Sequence, residues 1–301
     1  MSLSVKSFSN GEVIIKEGDS GKSIFRLVEG NADVYSGFET KDPFRLAVLK
    51  AGDYFGEMAI FEEYTRSATV VARGSVRVLE IAENDLNEFM TENPDVIGEL
   101  VTHLGNKVQT MINDFNEAKV LLKNLREADA AKKKSLFSKI KKHIDIYQSN
   151  KNGLTDPNPD AIRETYADIT YDDSDRIESF DKGTVIFNEG ENGNCMYILH
   201  SGIINLYNGY GSDGQQQIAD LEAVSVFGEM EMINEGARTT TAAAGSDGVL
   251  VEKIYMEDLE SIFGKNPAKI TMILRHLSYR LRTLNVDFLN ICKEITENYN
   301  D

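Results

Sequence analysis

The sequence predicts a mainly β protein with long helices (α+β): two jelly-roll-like β-rolls, each followed by a long helix of coiled-coil type. Three observations carry this expectation: an internal repeat, a change of hydrophobic period within each copy, and a heptad stripe closing each copy. The repeat is read first, because missing it would misassign the whole architecture. Residues 8–37 (FSNGEVIIKEGDSGKSIFRLVEGNADVYSG) align with residues 180–209 (FDKGTVIFNEGENGNCMYILHSGIINLYNG) at a constant offset of 172 residues, as from Gly11 to Gly183. Gly18, Gly21, Gly30 and Gly37 fall on Gly190, Gly193, Gly202 and Gly209, Phe55-Gly56-Glu57-Met58 on Phe227-Gly228-Glu229-Met230, and Arg66 on Arg238. One inserted residue later, Asn93-Pro94, His103-Leu104 and Asp114-Phe115 match Asn266-Pro267, His276-Leu277 and Asp287-Phe288.

Each copy opens on short strand-length runs. Val13-Ile14-Ile15, Ile24 to Val28 and Ala32 to Tyr35 are apolar pieces separated by glycine-bearing turns, the pattern of a small roll. Asn10-Gly11, Asn192-Gly193 and Asn208-Gly209 suit turns that need positive φ. After each roll the period lengthens to about 3.6, and a proline (Pro94, Pro267) stands near the start of a long helix. Ile97, Val101, Leu104, Val108, Met111, Phe115, Ala118, Leu122 and Leu125 recur at alternating steps of four and three. Ile270, Leu274, Leu277, Leu281, Leu284, Phe288, Ile291 and Ile295 do the same in the second copy. A helix of about 42 Å overruns a small roll, so a stripe this long predicts paired helices rather than a helix lying on its own roll.

The domains expected are therefore 1–128, a linker 129–175, and 176–301. The linker holds the chain's basic run, Lys132-Lys133-Lys134 to Lys141-Lys142-His143. Leu136, Phe137, Ile140, Ile144 and Tyr147 put an apolar stripe along one helix face there. A basic amphipathic helix suits a membrane surface or a calmodulin-like partner, but docking by its stripe on this acidic protein is the favoured expectation. Residues 150–159 read as a turn-rich connector, and Asp172-Asp173-Ser174-Asp175 as a solvated acidic approach.

Composition excludes other classes. The chain has 301 residues, 41% of them hydrophobic and 27% charged, enough for two real cores. Its 32 Lys and Arg stand against 49 Asp and Glu, a formal net charge of −17. Such a balance repels nucleic acid and anionic membranes unless a basic patch intervenes. No apolar run is long enough to span a bilayer, and no secretory signal opens the chain. Two cysteines, Cys195 and Cys292, cannot by themselves build a disulfide framework or a structural zinc site. A reduced cytoplasmic protein is expected.

The segment that carries chemistry runs from Phe55 to Val70. A glycine and the first amides of a short turn can cradle an oxyanion. Arg66 returns nine residues after Glu57 and adds a charge-assisted clamp on the same anion. The Glu57 carboxylate cannot bind an anion and must instead accept a hydroxyl. One anion, one hydroxyl and an apolar wall make a nucleotide-shaped demand. A salt bridge from Arg66 to Glu62 or Glu63 is the plain structural alternative.

These residues resemble the phosphate-binding cassette of the cyclic-nucleotide-binding domain family, Phe-Gly-Glu-aliphatic-Ala followed by Arg-Ala/Ser-Ala-Thr. The likeness covers residues 8–115 and 180–288. It implies a cyclic phosphate held by Arg66 and the amides of Gly56, Met58 and Ala59, a hydroxyl from Ser67, and the ribose 2′-hydroxyl on Glu57. In the second copy the corresponding roles fall on Arg238, Gly228, Met230, Thr239 and Glu229. That copy departs from the pattern at Glu231, which stands where the first has Ala59; an extra carboxylate there either repels the ligand or points to solvent. Both a working and a structural-only second site stay open. The family covers the base from the following helix, which brings Thr110, Met111, Ile112 and Asn113, or Thr283, Leu284 and Asn285, into consideration. Lys107 and Arg280 are candidates to pair with Glu57 and Glu229. Ser67 and Thr239 do not decide between cAMP and cGMP.

Other motifs fall away. Gly209-Tyr210-Gly211-Ser212-Asp213-Gly214 spells GxGxxG but lies between two β runs, so it is expected as a hairpin turn. The four histidines lack metal spacing, and no catalytic triad, P-loop or paired catalytic carboxylates appear. The chain closes soon after the second stripe, without room for a helix-turn-helix, and no kinase-inhibitor sequence precedes the first roll. The resemblance thus implies a non-enzymatic cAMP or cGMP receptor, with no other cofactor and no metal, whose output is a protein partner. The alternative is a scaffold that has lost nucleotide in one or both rolls. The two stripes either pair within one chain or join two chains as a homodimer.

Overall fold

A computed structural model describes residues 4–41, 43–58, 65–127, 136–150 and 176–299. Ala59, Glu62, Glu63, Lys132 to Lys134, Asp172 to Asp175 and most of the connector expected at 150–159 lie outside them. Contacts divide the chain into two units, one of residues 1–92, 107–157 and 278–301, the other of 93–106 and 158–277. The division falls inside the long helices.

The first unit contains the first roll. Strands β1 (Ser4–Phe8), β2 (Val13–Ile15), β3 (Ser23–Ser36), β4 (Phe44–Lys50), β5 (Tyr54–Phe55) and β6 (Thr69–Ala82) form one antiparallel sheet in the order β1-β6-β3-β4. Strand β2 adds to β6, and β5 to β3. The two 14-residue strands β3 and β6 pair from Ser23↔Ala82 to Tyr35↔Thr69, slipping register around Glu29. Such slips bend a long ribbon so that both of its halves can enclose one core. That core gathers Phe25, Leu27, Ala32, Leu49, Phe55, Val70, Ala72, Val76 and Val78. Gly30 marks the bend: a Cβ there would stand 2.4 Å from the Ser75 carbonyl oxygen, and its φ is +89°.

Helix α1 (Leu86–Glu92) leads to α2 (Asp95–Glu127), a 33-residue helix about 50 Å long. Helix α3 (Phe137–Asn150) holds the second half of the basic segment, and α6 (Pro267–Tyr299) closes the chain. In the first unit, the later halves of α2 and α6 lie side by side in parallel. Ala118 packs with Phe288, Leu289 and Cys292, and one turn on, Leu122 and Leu125 pack with Ile295. Arg126 reaches Glu294 at 2.6 Å. Helix α3 docks on this pair by its apolar stripe: Ile140 is buried there, with Leu136 and Ile144 beside it. Lys139 and Lys142 both lie 3.7 Å from Glu117, so its basic face meets acid on α2.

The second unit contains the second roll, in which the same ribbon is cut into two four-stranded sheets. One is β11-β10-β13-β8 and the other β12-β9-β14-β7. Their strands are β7 (Ile177–Phe180), β8 (Val185–Phe187), β9 (Cys195–Ser201), β10 (Ile203–Asn208), β11 (Gln216–Glu222), β12 (Ser225–Phe227), β13 (Thr241–Ala244) and β14 (Val249–Tyr255). The counterpart of β3 is broken at Gly202 and that of β6 after Ala244, so the bends of the first roll become breaks here. Gly209 to Gln215 form the turn between β10 and β11, and Gly211 donates to the Gln215 side chain at 2.9 Å; the GxGxxG string is a hairpin turn. Helices α4 (Glu229–Asn234) and α5 (Leu259–Lys265) complete the roll. Among the described residues no helix is long and apolar enough to cross a membrane, and no cluster of His, Cys, Asp or Glu could hold a metal.

Candidate functional site

The cassette of the first roll is built by β5, the turn after it, and the start of β6. Gly56 has φ +77°, a left-handed position that re-aims the chain at Glu57. Arg66 enters from the other side, anchored through its backbone: its amide donates to the Asp19 carbonyl at 2.9 Å, and its own carbonyl accepts from Gly18 at 2.9 Å. Its side chain is 6% exposed. Nη1 donates to the Gly56 carbonyl at 2.6 Å, and the guanidinium lies 5.5 Å from the Phe25 ring centroid. Burial lowers the Arg66 pKa, and the charges of Glu57 and Glu80 oppose that shift.

Glu57 is 2% exposed and accepts from Lys107 Nζ at 2.8 Å. The pairing expected of Lys107 is therefore present, and it ties the cassette to α2. Ser67 lies over Met58, its hydroxyl 3.9 Å from the thioether sulfur. Of the expected base-covering residues on α2, Thr110 and Asn113 are exposed, and Asn113 accepts from Gln109 at 3.1 Å. Met111 is half-buried against the cluster of Ala118 and Phe288 in the helix seam.

The second cassette repeats this frame. Arg238 donates its amide to Glu191 at 2.7 Å, its carbonyl accepts from Gly190 at 2.8 Å, and Nη1 donates to Gly228 at 2.6 Å. Nη2 donates to the Cys195 carbonyl at 2.7 Å. The guanidinium stands 4.3 Å from the Phe187 ring centroid and 5.7 Å from that of Tyr197. Burial raises the Tyr197 pKa, with Cys195 adding to the rise. Glu229 and Met230 are buried on α4. Glu231 turns inward: Oε1 accepts from the Thr239 hydroxyl at 2.9 Å and from its amide at 3.3 Å, and Oε2 lies 3.5 Å from Arg238 Nη1. Ile233 of the same helix meets Gly105 of α2, where a Cβ would stand 2.5 Å from Cδ1. Thr283, Leu284 and Asn285 are half-buried on α6, and the Thr283 hydroxyl bonds back to the Tyr279 carbonyl at 3.1 Å.

The motif alone does not name everything that shapes the site. A Cβ at Gly21 would stand 2.6 Å from Arg66 Nη2, and one at Gly193 would stand 3.1 Å from Arg238 Cζ. The repeat contains that signal, since both glycines are shared at the same offset. It also aligns Phe25 with Tyr197, the rings that face the two guanidiniums.

The sequence profile of the cyclic nucleotide-binding domain matches residues 5–93 and again 177–266. The chain belongs to the cyclic nucleotide-binding domain family. Human cGMP-dependent protein kinase 2 is 25% identical over 260 residues, covering 86% of this chain and 27% of the kinase. A cAMP-dependent protein kinase regulatory subunit of Mycosarcoma maydis is 38% identical over 96 residues, covering 30% of this chain and 18% of that protein. The chain thus spans less than a third of the length of these relatives. Among solved structures, the regulatory domain of Toxoplasma gondii PKA with cAMP is 18% identical, covering 89% of this chain and 86% of that one, with a TM-score of 0.27.

Proposed function

We propose that the protein is a non-enzymatic receptor for cAMP or cGMP, with its nucleotide site in the first roll. The observation that carries this reading is the buried Arg66, fixed on Gly56 and placed in one cassette with the buried Glu57. A buried guanidinium facing a glycine turn is an anion clamp, and a carboxylate beside it selects a ligand that also brings a hydroxyl. The Lys107–Glu57 contact supports a route for output. A ribose hydroxyl on Glu57 would compete with Lys107 and so change how α2 is held, a shift another protein can read.

Titration calorimetry with each nucleotide tests the site. Wild-type protein should bind, and Arg66→Ala should weaken binding at least about 100-fold, as expected for a lost charge-assisted clamp. No binding at millimolar ligand, or equal binding by the variant, refutes the reading. The apolar stripes are buried within one chain, which supports intrachain pairing over a homodimer. Light scattering should then give a mass near 33.6 kDa rather than twice that.

A further inference from the structure

We infer that Glu231 is an internal counter-anion that takes the place of the cyclic phosphate in the second cassette, so the second roll does not accept cyclic nucleotide while that carboxylate is charged. The inference rests on the family reading of the two cassettes. The two share one frame. Arg66 and Arg238 are anchored by the same pair of backbone bonds, and each sets Nη1 2.6 Å from the carbonyl of the cassette glycine. In the second roll a carboxylate sits against the donors: Glu231 Oε1 accepts from the hydroxyl and the amide of Thr239, and Oε2 faces Arg238 Nη1 at 3.5 Å. Of these donors, the Arg238 guanidinium and the Thr239 hydroxyl correspond to the Arg66 guanidinium and the Ser67 hydroxyl, which the resemblance gives to the phosphate.

Solvation strengthens the point. The Arg238 side chain is 2% exposed and that of Glu231 is 11% exposed. In such a place, taking the carboxylate away without another anion to replace it leaves the arginine charge buried and uncompensated. A phosphate arriving there would meet a second negative charge at close range with little water between them, so the two anions exclude each other. The backbone of Gly193 passes close to Glu231, since a Cβ at Gly193 would stand 2.5 Å from the Glu231 Cβ, and the carboxylate is held by its bonds to Thr239. In the sequence of the first roll the same position is Ala59, which has no carboxylate to offer. One chain therefore pairs a nucleotide-receiving cassette with a self-neutralised one, and Glu231 is the residue that separates them.

Stoichiometry tests the inference. Calorimetry of the full chain with cAMP and with cGMP should give one site in the wild type and two in Glu231→Ala. The added site should disappear in Glu231→Ala/Arg238→Ala and persist in Glu231→Ala/Arg66→Ala. Glu231→Gln keeps the size and the hydrogen bonds but loses the charge. It serves the same purpose should the alanine variant fold poorly, and its second site should bind at least about tenfold more tightly than any second event in the wild type. Two sites in the wild type, one of them lost in Arg238→Ala, overturn the inference. So does a single site in both folded Glu231 variants. Failure of the first-roll reading looks different: the wild type binds nothing, while Glu231→Ala still gains a site that depends on Arg238.

Discussion

At the scale of single residues, the two cassettes show how much rests on positions without side chains. Gly21 lies in ordinary backbone, yet a Cβ there would stand 2.6 Å from Arg66 Nη2 and 2.8 Å from Nε. Gly21→Ala should therefore push the guanidinium off its place with little effect on folding. We expect nucleotide affinity in the first roll to fall about 10- to 100-fold, the range of a charged hydrogen bond, with the thermal midpoint moved by only a few degrees. Calorimetry and a thermal melt on the same sample separate the two effects; a large loss of midpoint with unchanged affinity refutes the argument. Gly56→Ala differs, because φ +77° adds backbone strain to a contact 2.6 Å from Arg66 Nη1. The motif made Arg66 and Glu57 legible, because charge and spacing are written in the sequence, and the family resemblance pointed to Lys107 as the partner of Glu57. The direction of Glu231 was not legible. Whether a carboxylate faces solvent or its own arginine depends on the side-chain torsions that bring it to the Thr239 donors, which the motif does not encode. Met111 belongs to the heptad stripe, and it is half-buried against the cluster that holds Ala118 and Phe288.

At the scale of elements, the rolls and long helices follow from periodicity. The stripe on α2 is buried at Ile97, Val101, Leu104, Val108, Ala118, Leu122 and Leu125. What periodicity could not show is a buried charged cluster specific to the second copy. Glu252 on β14 lies 2.8 Å from His200 Nε2 on β9 and 3.0 Å from Lys269 Nζ in the first turn of α6. His200 and Lys269 align with Val28 and Val96 of the first copy, so the repeat itself masks them. Burial pushes the Glu252 pKa up, but the bonds and charges of His200 and Lys269 pull it further down, and the net shift is downward. A carboxylate with a lowered folded pKa stabilises fully above its unfolded value and loses that contribution as the pH falls through the folded one. Glu252→Gln leaves the Lys269 charge buried at 1% side-chain exposure and should cost about 3–5 kcal/mol at neutral pH. Urea melts across pH should show the gap between wild type and variant closing below the ordinary carboxylate range. A gap that stays constant down to pH 2 would mean that the cluster's charge is not what stabilises the strand–helix contact.

At the scale of the whole molecule, the charge of −17 sets the terms on which a cyclic phosphate arrives. The residues that would hold the ligand do little to attract it from a distance, because Arg66 is 6% exposed and has the buried Glu57 beside it. At long range an approaching anion meets the field of this net negative charge. Long-range repulsion of that kind is a property of rate and is screened by salt: the Debye length shortens from about 30 Å at 0.01 M to about 8 Å at 0.15 M. The clamp itself is buried and far less exposed to screening. Association with the monoanionic nucleotide should therefore quicken as salt rises over this range, by about two- to fivefold, while dissociation stays nearly constant. Stopped-flow kinetics read both constants directly. A rate that falls with salt would mean that the entrance is locally positive and that the acidic residues are turned away from the first roll. An unchanged rate would place the rate-limiting step after encounter, in the release of Glu57 from Lys107, and in that case Lys107→Met should speed association at every salt concentration.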